Sequence, residues 1–198
     1  MSKNAATDHR IHNTLAVRWS PYAFSDKPVP TQDLASVFEA ARWAPSSYNE
    51  QPWRYIVGVK GQGDTHARIL ECLVEANRAW AQNAPVLALG VVVRTFTLNG
   101  EPNKAAEHDL GLASANLVTE ATTRRLFVHQ MIGLDPDAAR SAFAIPENAE
   151  AFTAMAIGYR ETSDNMNQAL LERDTKPRER RALDEFVFVD RFGNPAGL

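Results

Sequence analysis

A chain of 198 residues, 44% of them hydrophobic, can bury one sizeable core and is too short for two independent domains. Acidic residues outnumber basic ones 24 to 21, for a net charge of −3 and a pI near 6.0 with no long block of one sign, which argues against a nucleic-acid binder. The lone Cys72 excludes an intrachain disulfide and a cysteine metal cluster and makes the cytosol the natural compartment. No signal peptide is evident, and the longest apolar run, residues 85–93, falls far short of the roughly 20 residues a membrane helix needs, so a soluble protein is expected.

In chain order, residues 1–8 are small and polar and read as a flexible tail on a single domain spanning 1–198. His9 and His12 can share a helix face, but no carboxylate or further histidine completes a metal set, so they read as surface residues. Arg18 and Ser20, two apart on a turn, offer a forked donor and a hydroxyl, the makings of an anion grip. Thr31 as N-cap, Asp33 in the first turn, and Leu34, Val37, Phe38 and Ala41 at helical spacing predict a helix over 31–43 that Pro45 stops. The next stretch, Ala44-Pro45-Ser46-Ser47-Tyr48-Asn49-Glu50-Gln51-Pro52-Trp53, is held by its prolines in extended and turn geometry. Lying between that helix and the apolar run 55–59, a candidate buried strand, it suits either a ligand-binding loop or a well-made connection.

After the Gly61-Gln62-Gly63-Asp64 punctuation, Ile69, Cys72, Leu73 and Ala76 mark one helix, with Cys72 as a buried structural thiol. Residues 86–93 are apolar on both faces, the pattern of a central strand. The longest helix is predicted over 105–124, where the stripe Ala106, Leu110, Ala113, Leu117 and Ala121 would let a subunit partner or a flat ligand approach closely. Residues 126–133 read as a short strand and loop, with His129 a hydrogen-bonded histidine. Asp135-Pro136 supplies a cap and an N1 proline for a helix ending near Ile145-Pro146, 151–159 is another apolar strand, and 164–173 is a helix. The interleaving gives an α/β or α+β class. The tail carries Lys176-Pro177-Arg178-Glu179-Arg180-Arg181 ahead of the β-prone run 183–189, a cation cluster that serves a phosphate or forms a solvated basic face. No P-loop, G-x-G-x-x-G, G-x-S-x-G or H-E-x-x-H pattern occurs, which removes the mononucleotide, Rossmann, hydrolase and zinc-protease readings.

Taken in order, Arg18-x-Ser20-x-x-x-Phe24, Ala44-Pro45-Ser46-Ser47-x-Asn49-x-Gln51-Pro52-Trp53, Ala84-Pro85 before a Val-rich strand, His129-Gln130-Met131-x-Gly133-x-Asp135, Ala156-Ile157-Gly158-Tyr159 and Arg178-x-Arg180 resemble the nitroreductase family of FMN-dependent oxidoreductases. The resemblance spans nearly the whole chain. It implies an α+β, three-layer sandwich with a central, mostly antiparallel sheet wrapped by helices, built as an interdigitated homodimer with FMN at the subunit interface. Arg18, Trp19 and Ser20 would hold the phosphate and ribityl, with Arg178 and Arg180 adding charge. Pro45, Ser46 and Ser47 match the loop that the second subunit lays against the flavin, and Asn49 a supporting polar position. Gln130, Ile132 and Gly133 match the segment over the ring.

The family's chemistry belongs to the cofactor: NAD(P)H is the donor and a nitroaromatic, quinone or similar small molecule the acceptor. Alternatives are an FMN-dependent dehydrogenase or oxidase of one metabolite, or a flavin carrier or sensor without turnover. Two departures stand out. Tyr22 occupies the position where the pattern R-x-S-x-R/K has a cation beside the pyrimidine edge, and Arg78 is the expected substitute. Arg124-Arg125 stands where the family has Leu-Gly, a change that bears on substrate access.

Overall fold

The computed structural model describes residues 3–162 and 167–198. Its strands are β1 (Trp53–Val59), β2 (Val86–Val93), β3 (Phe127–Met131) and β4 (Ala149–Gly158). They form one sheet in the order β1-β2-β4-β3, and every neighbouring pair is antiparallel. The helices are α1 (Asn13–Val17), α2 (Thr31–Arg42), α3 (Thr65–Glu71), α4 (Glu75–Ala81), α5 (Ala106–Thr123), α6 (Pro136–Phe143) and α7 (Gln168–Thr175).

Strand β2 shows why this is a three-layer sandwich. Val86, Ala88 and Val92 join a core with Val37 and Ala41 of α2 and Leu110 and Leu117 of α5. Leu87, Leu89 and Val91 join a second core with Ile69 of α3, Trp80 of α4 and Ala139 of α6. A strand covered on both faces has no need of alternating polarity, so the uninterrupted apolar run is what its position requires. The α+β class and the antiparallel sheet are as the sequence predicts.

Several local expectations are corrected. Thr31 is the first helical residue of α2, and Pro30 (φ −59°) occupies the cap without a side-chain bond. The single helix expected around 69–76 is two, α3 and α4. Leu73 bridges Leu134 and the Val74 N–H donates to Gly133 O at 3.1 Å, so a tertiary strand-like pairing interrupts the helical spacing. Strand β1 lies at the sheet edge and is half-buried. The α5 stripe Ala106, Leu110, Ala113, Leu117 and Ala121 is wholly buried in the chain's own core, so it is not the face open to a ligand or a partner. The 183–189 run forms one 3₁₀ turn, Leu183–Glu185, and an isolated bridge from Phe188 to Pro195 instead of a strand. In the helix expected over 164–173, residues 164–166 lie outside the described residues, and α7 begins at Gln168. Arg124 bonds Asp33 and Glu120, each at 2.8 Å, clamping the end of α5 onto α2. Arg125 is exposed with a left-handed φ of 60°.

Cys72 is buried, its thiol donating to Arg68 O at 3.2 Å, and burial followed by Asp135 and Glu71 pushes its pKa up, as suits a structural thiol. Two histidines are built into the layers as neutral donors. His66 Nε2 meets Ala84 O at 2.9 Å and His129 Nδ1 meets Pro21 O at 2.8 Å; a carbonyl can only accept, which assigns the proton to the ring nitrogen. Burial is the largest cause pushing both below the ordinary histidine value. The unfolded chain therefore binds more protons between pH ~6.5 and the lower folded value, so stability is full above that window and falls as pH drops through it. Urea midpoints should be lower near pH ~5.5 than near ~7.5, and the gap should narrow in His66→Gln. Midpoints that do not move with pH would contradict this.

Candidate functional site

Residues 18–24 leave α1 as an extended segment pinned by one carboxylate. Asp174 of α7, 2% exposed, accepts the Tyr22 N–H at 2.8 Å and the Ala23 N–H at 3.3 Å. Trp19 is buried, edge-on to Phe127 at 5.7 Å, and its ring is approached by Lys3 Nζ at 4.9 Å and by the Arg160 guanidinium at 5.4 Å. Arg18 Nη1 donates to Ser20 Oγ at 3.4 Å. These residues border a cavity of about 210 Å³ lined by Lys3, Arg18, Arg173, Lys176, Arg178 and Arg180, six cations without a carboxylate among the lining residues. Burial, then Arg178 and Arg180, lower the pKa of Arg18, the signature of positive charge gathered without a counterion. Such a cavity is complementary to a compact dianion such as a phosphate monoester.

The two tail arginines play different parts. Arg178 Nη1 donates to Lys3 O and Ala16 O, both at 2.7 Å, so its guanidinium ties the N-terminal segment to α1. Arg180 is exposed and, among the described residues, its side chain bonds only the neighbouring Glu179 O, at 2.6 Å, which leaves it the more available of the two.

Tyr22 meets Trp80 and His129 edge-on at 5.2 and 4.7 Å. The cation over its ring is Arg173, at 4.7 Å. Arg78 Nη2 donates to Leu73 O at 3.0 Å and its Nε lies 3.8 Å from Glu75. Gln130 and Ile132 line a separate cavity of about 470 Å³ with Gly111, Ser114, Phe152 and Thr153, and Ile132 is 81% exposed. Gly133 is where the backbone packs tightest here. A Cβ at this position would lie 2.5 Å from Asn77 Nδ2, and the Gly133 carbonyl accepts from Asn77 Nδ2 at 3.0 Å.

The loop carrying Pro45, Ser46, Ser47 and Asn49 is held at the start of α5. Ser47 N–H donates to the buried Asp109 at 2.9 Å, and the Gln51 N–H to Ser46 Oγ at 3.0 Å. Tyr48, Asn49 and Gln51 all take positive φ, between 52° and 56°. Among the described residues no hydrogen bond, ion pair or ring contact joins this loop to the Arg18 cavity. Apart from Tyr22 and Arg78, the site residues thus fall into three groups: the cation cavity, the Gln130–Gly133 edge and the 45–49 loop. Lys3, Arg173 and Asp174 escape a motif-based reading, since each reaches the site through a contact with residues far away in sequence.

Comparison with known proteins agrees with this architecture. The Nitroreductase family model matches residues 15–91. An uncharacterized 15.4 kDa protein of Mycolicibacterium smegmatis is 34% identical over 152 residues, covering 72% of this chain and 99% of that protein. A putative NADH dehydrogenase/NAD(P)H nitroreductase of Archaeoglobus fulgidus is 29% identical over 154 residues, 73% of this chain and 82% of its own. A crystal structure of an oxidoreductase containing FMN superposes with a TM-score of 0.90 at 29% identity, covering 98% of each chain. Among the described residues no group of side chains could hold a metal ion, and no helix is long and apolar enough to cross a membrane. From the segment that carries Arg18 and Ser20 to the sheet that frames it, the matches converge, and the chain belongs to the nitroreductase family.

Proposed function

We propose that the chain is an FMN-dependent NAD(P)H oxidoreductase that reduces a small acceptor such as a nitroaromatic or a quinone, and that it works as a homodimer. The observation that carries this reading is the cation cavity, which has no carboxylate among its described lining residues and fits the phosphate of FMN. Arg18, Ser20 and Arg180 are the residues placed to hold that phosphate, and Trp19 walls it. At the Gln130–Gly133 edge Ile132 projects outward, while the side chains of Asn77 and Val74 fill the space beside Gly133. FMN, when bound, supplies the hydride acceptance from NAD(P)H and the electron transfer to the acceptor, so no side chain is assigned as nucleophile or acid–base catalyst. The dimer is supported by large apolar groups left exposed on the 45–49 loop, at the end of β3 and in the C-terminal segment: Tyr48 at 93%, Ile132 at 81% and Phe192 at 94%.

The purified protein is expected to be yellow, to sediment as a dimer, and to release FMN on acid treatment. Anaerobic mixing with NADH or NADPH should bleach it rapidly. Lasting colour would favour a metabolite dehydrogenase, an oxidase or a carrier, and a colourless monomer that takes up no added flavin would end the reading.

A further inference from the structure

Resting on the flavin-phosphate reading of the cation cavity, we propose that the N-terminal segment is a working part of that site, with Lys3 an additional phosphate-binding residue. Three contacts fix the segment. Arg178 donates to Lys3 O at 2.7 Å, the Ala5 N–H donates to Ala16 O at 2.9 Å, and Lys3 Nζ donates to Lys176 O at 2.5 Å. These bonds hold the segment to α1 and to Lys176 and Arg178, two residues that line the cavity.

The ammonium is placed for an anion. It stands 4.9 Å from the Trp19 ring and lines the cavity together with Arg18 and Arg180. An ammonium has three donors in free rotation, and Lys176 O takes one of them. Arg178 meanwhile spends donors on two carbonyls, so Lys3 reaches the anion in the role a tail arginine would otherwise fill. Charge points the same way. Burial is the largest cause lowering the Lys3 pKa; among the described residues Asp174 acts against it, and Arg178 and Arg160 lower the pKa further. Asp174, which also accepts the Tyr22 and Ala23 N–H groups, offsets part of this repulsion, and a phosphate entering the cavity would add to that compensation.

The test uses the full chain with Lys3→Gln and Lys3→Arg, titrated with FMN and with riboflavin. Lys3→Gln should weaken FMN roughly tenfold and riboflavin by no more than about twofold, with Lys3→Arg near wild type for both, since only FMN presents the charge. Equal weakening of both flavins would make Lys3 a packing residue, and no weakening of either would make it a bystander; each result overturns the proposal. A wild-type protein that binds neither flavin would instead remove the flavin reading beneath it, an outcome recognisable before any variant is made.

Discussion

Arg18→Ala is expected to weaken FMN binding by roughly tenfold to a hundredfold, the loss that follows from removing one charge-assisted hydrogen bond to a phosphate. Arg18 is half-buried among like charges, so an anion there gains more than it would at the exposed Arg180, and Arg180→Ala should cost less. Riboflavin carries no phosphate and should bind both variants nearly as well as wild type. Fluorescence titrations with the two flavins separate these effects, and an equal loss for both would move Arg18 away from the phosphate.

A second large effect is expected from one methyl group in β1. At Gly58 an added Cβ would stand 2.4 Å from His66 N, 2.5 Å from His66 Cα and 2.8 Å from Thr65 C. All three are backbone atoms of the first turn of α3, which cannot swing aside as a side-chain tip does. Gly58→Ala should therefore cost about 3 kcal/mol or more, the upper end of overpacking penalties. For a chain of this length that is a fall in Tm of roughly 6 to 12 °C. A change under about 1 kcal/mol would mean that α3 slides on the sheet without loss.

What the sequence shows of this fold is what local chemistry decides. Residues 86–93 are apolar without alternation and become an inner strand; Asp135 caps α6 through the Asp137 and Ala138 N–H groups, each at 3.0 Å, with Pro136 next to it. The ordered set from Arg18 to Arg180 identifies the family before any coordinates exist. What escapes is decided across long separations. Nothing near Val74 forecasts that Gly133 O will claim its N–H and end α3 early. Tyr22 departs from the family pattern, but nothing near it in sequence forecasts that Arg173, from the far end of the chain, lies over its ring. The α5 stripe is small for the sake of the chain's own sheet, and periodicity alone does not say which neighbour a small residue accommodates.

The hold of Asp174 on Tyr22 and of Arg178 on Lys3 also bears on the order of events in making the protein. These bonds span 152 and 175 residues of sequence. Synthesis proceeds from the N-terminus, so these two bonds to the segment carrying Lys3, Arg18 and Ser20 form only after α7 and Arg178 have followed. The cation cavity, lined by Arg173, Lys176, Arg178 and Arg180 from the chain's end, is thus a late product of translation, assembled only after the sheet has had every strand with which to form. A ribosome-stalled chain ending before residue 174 should possess the core and lack the anion site.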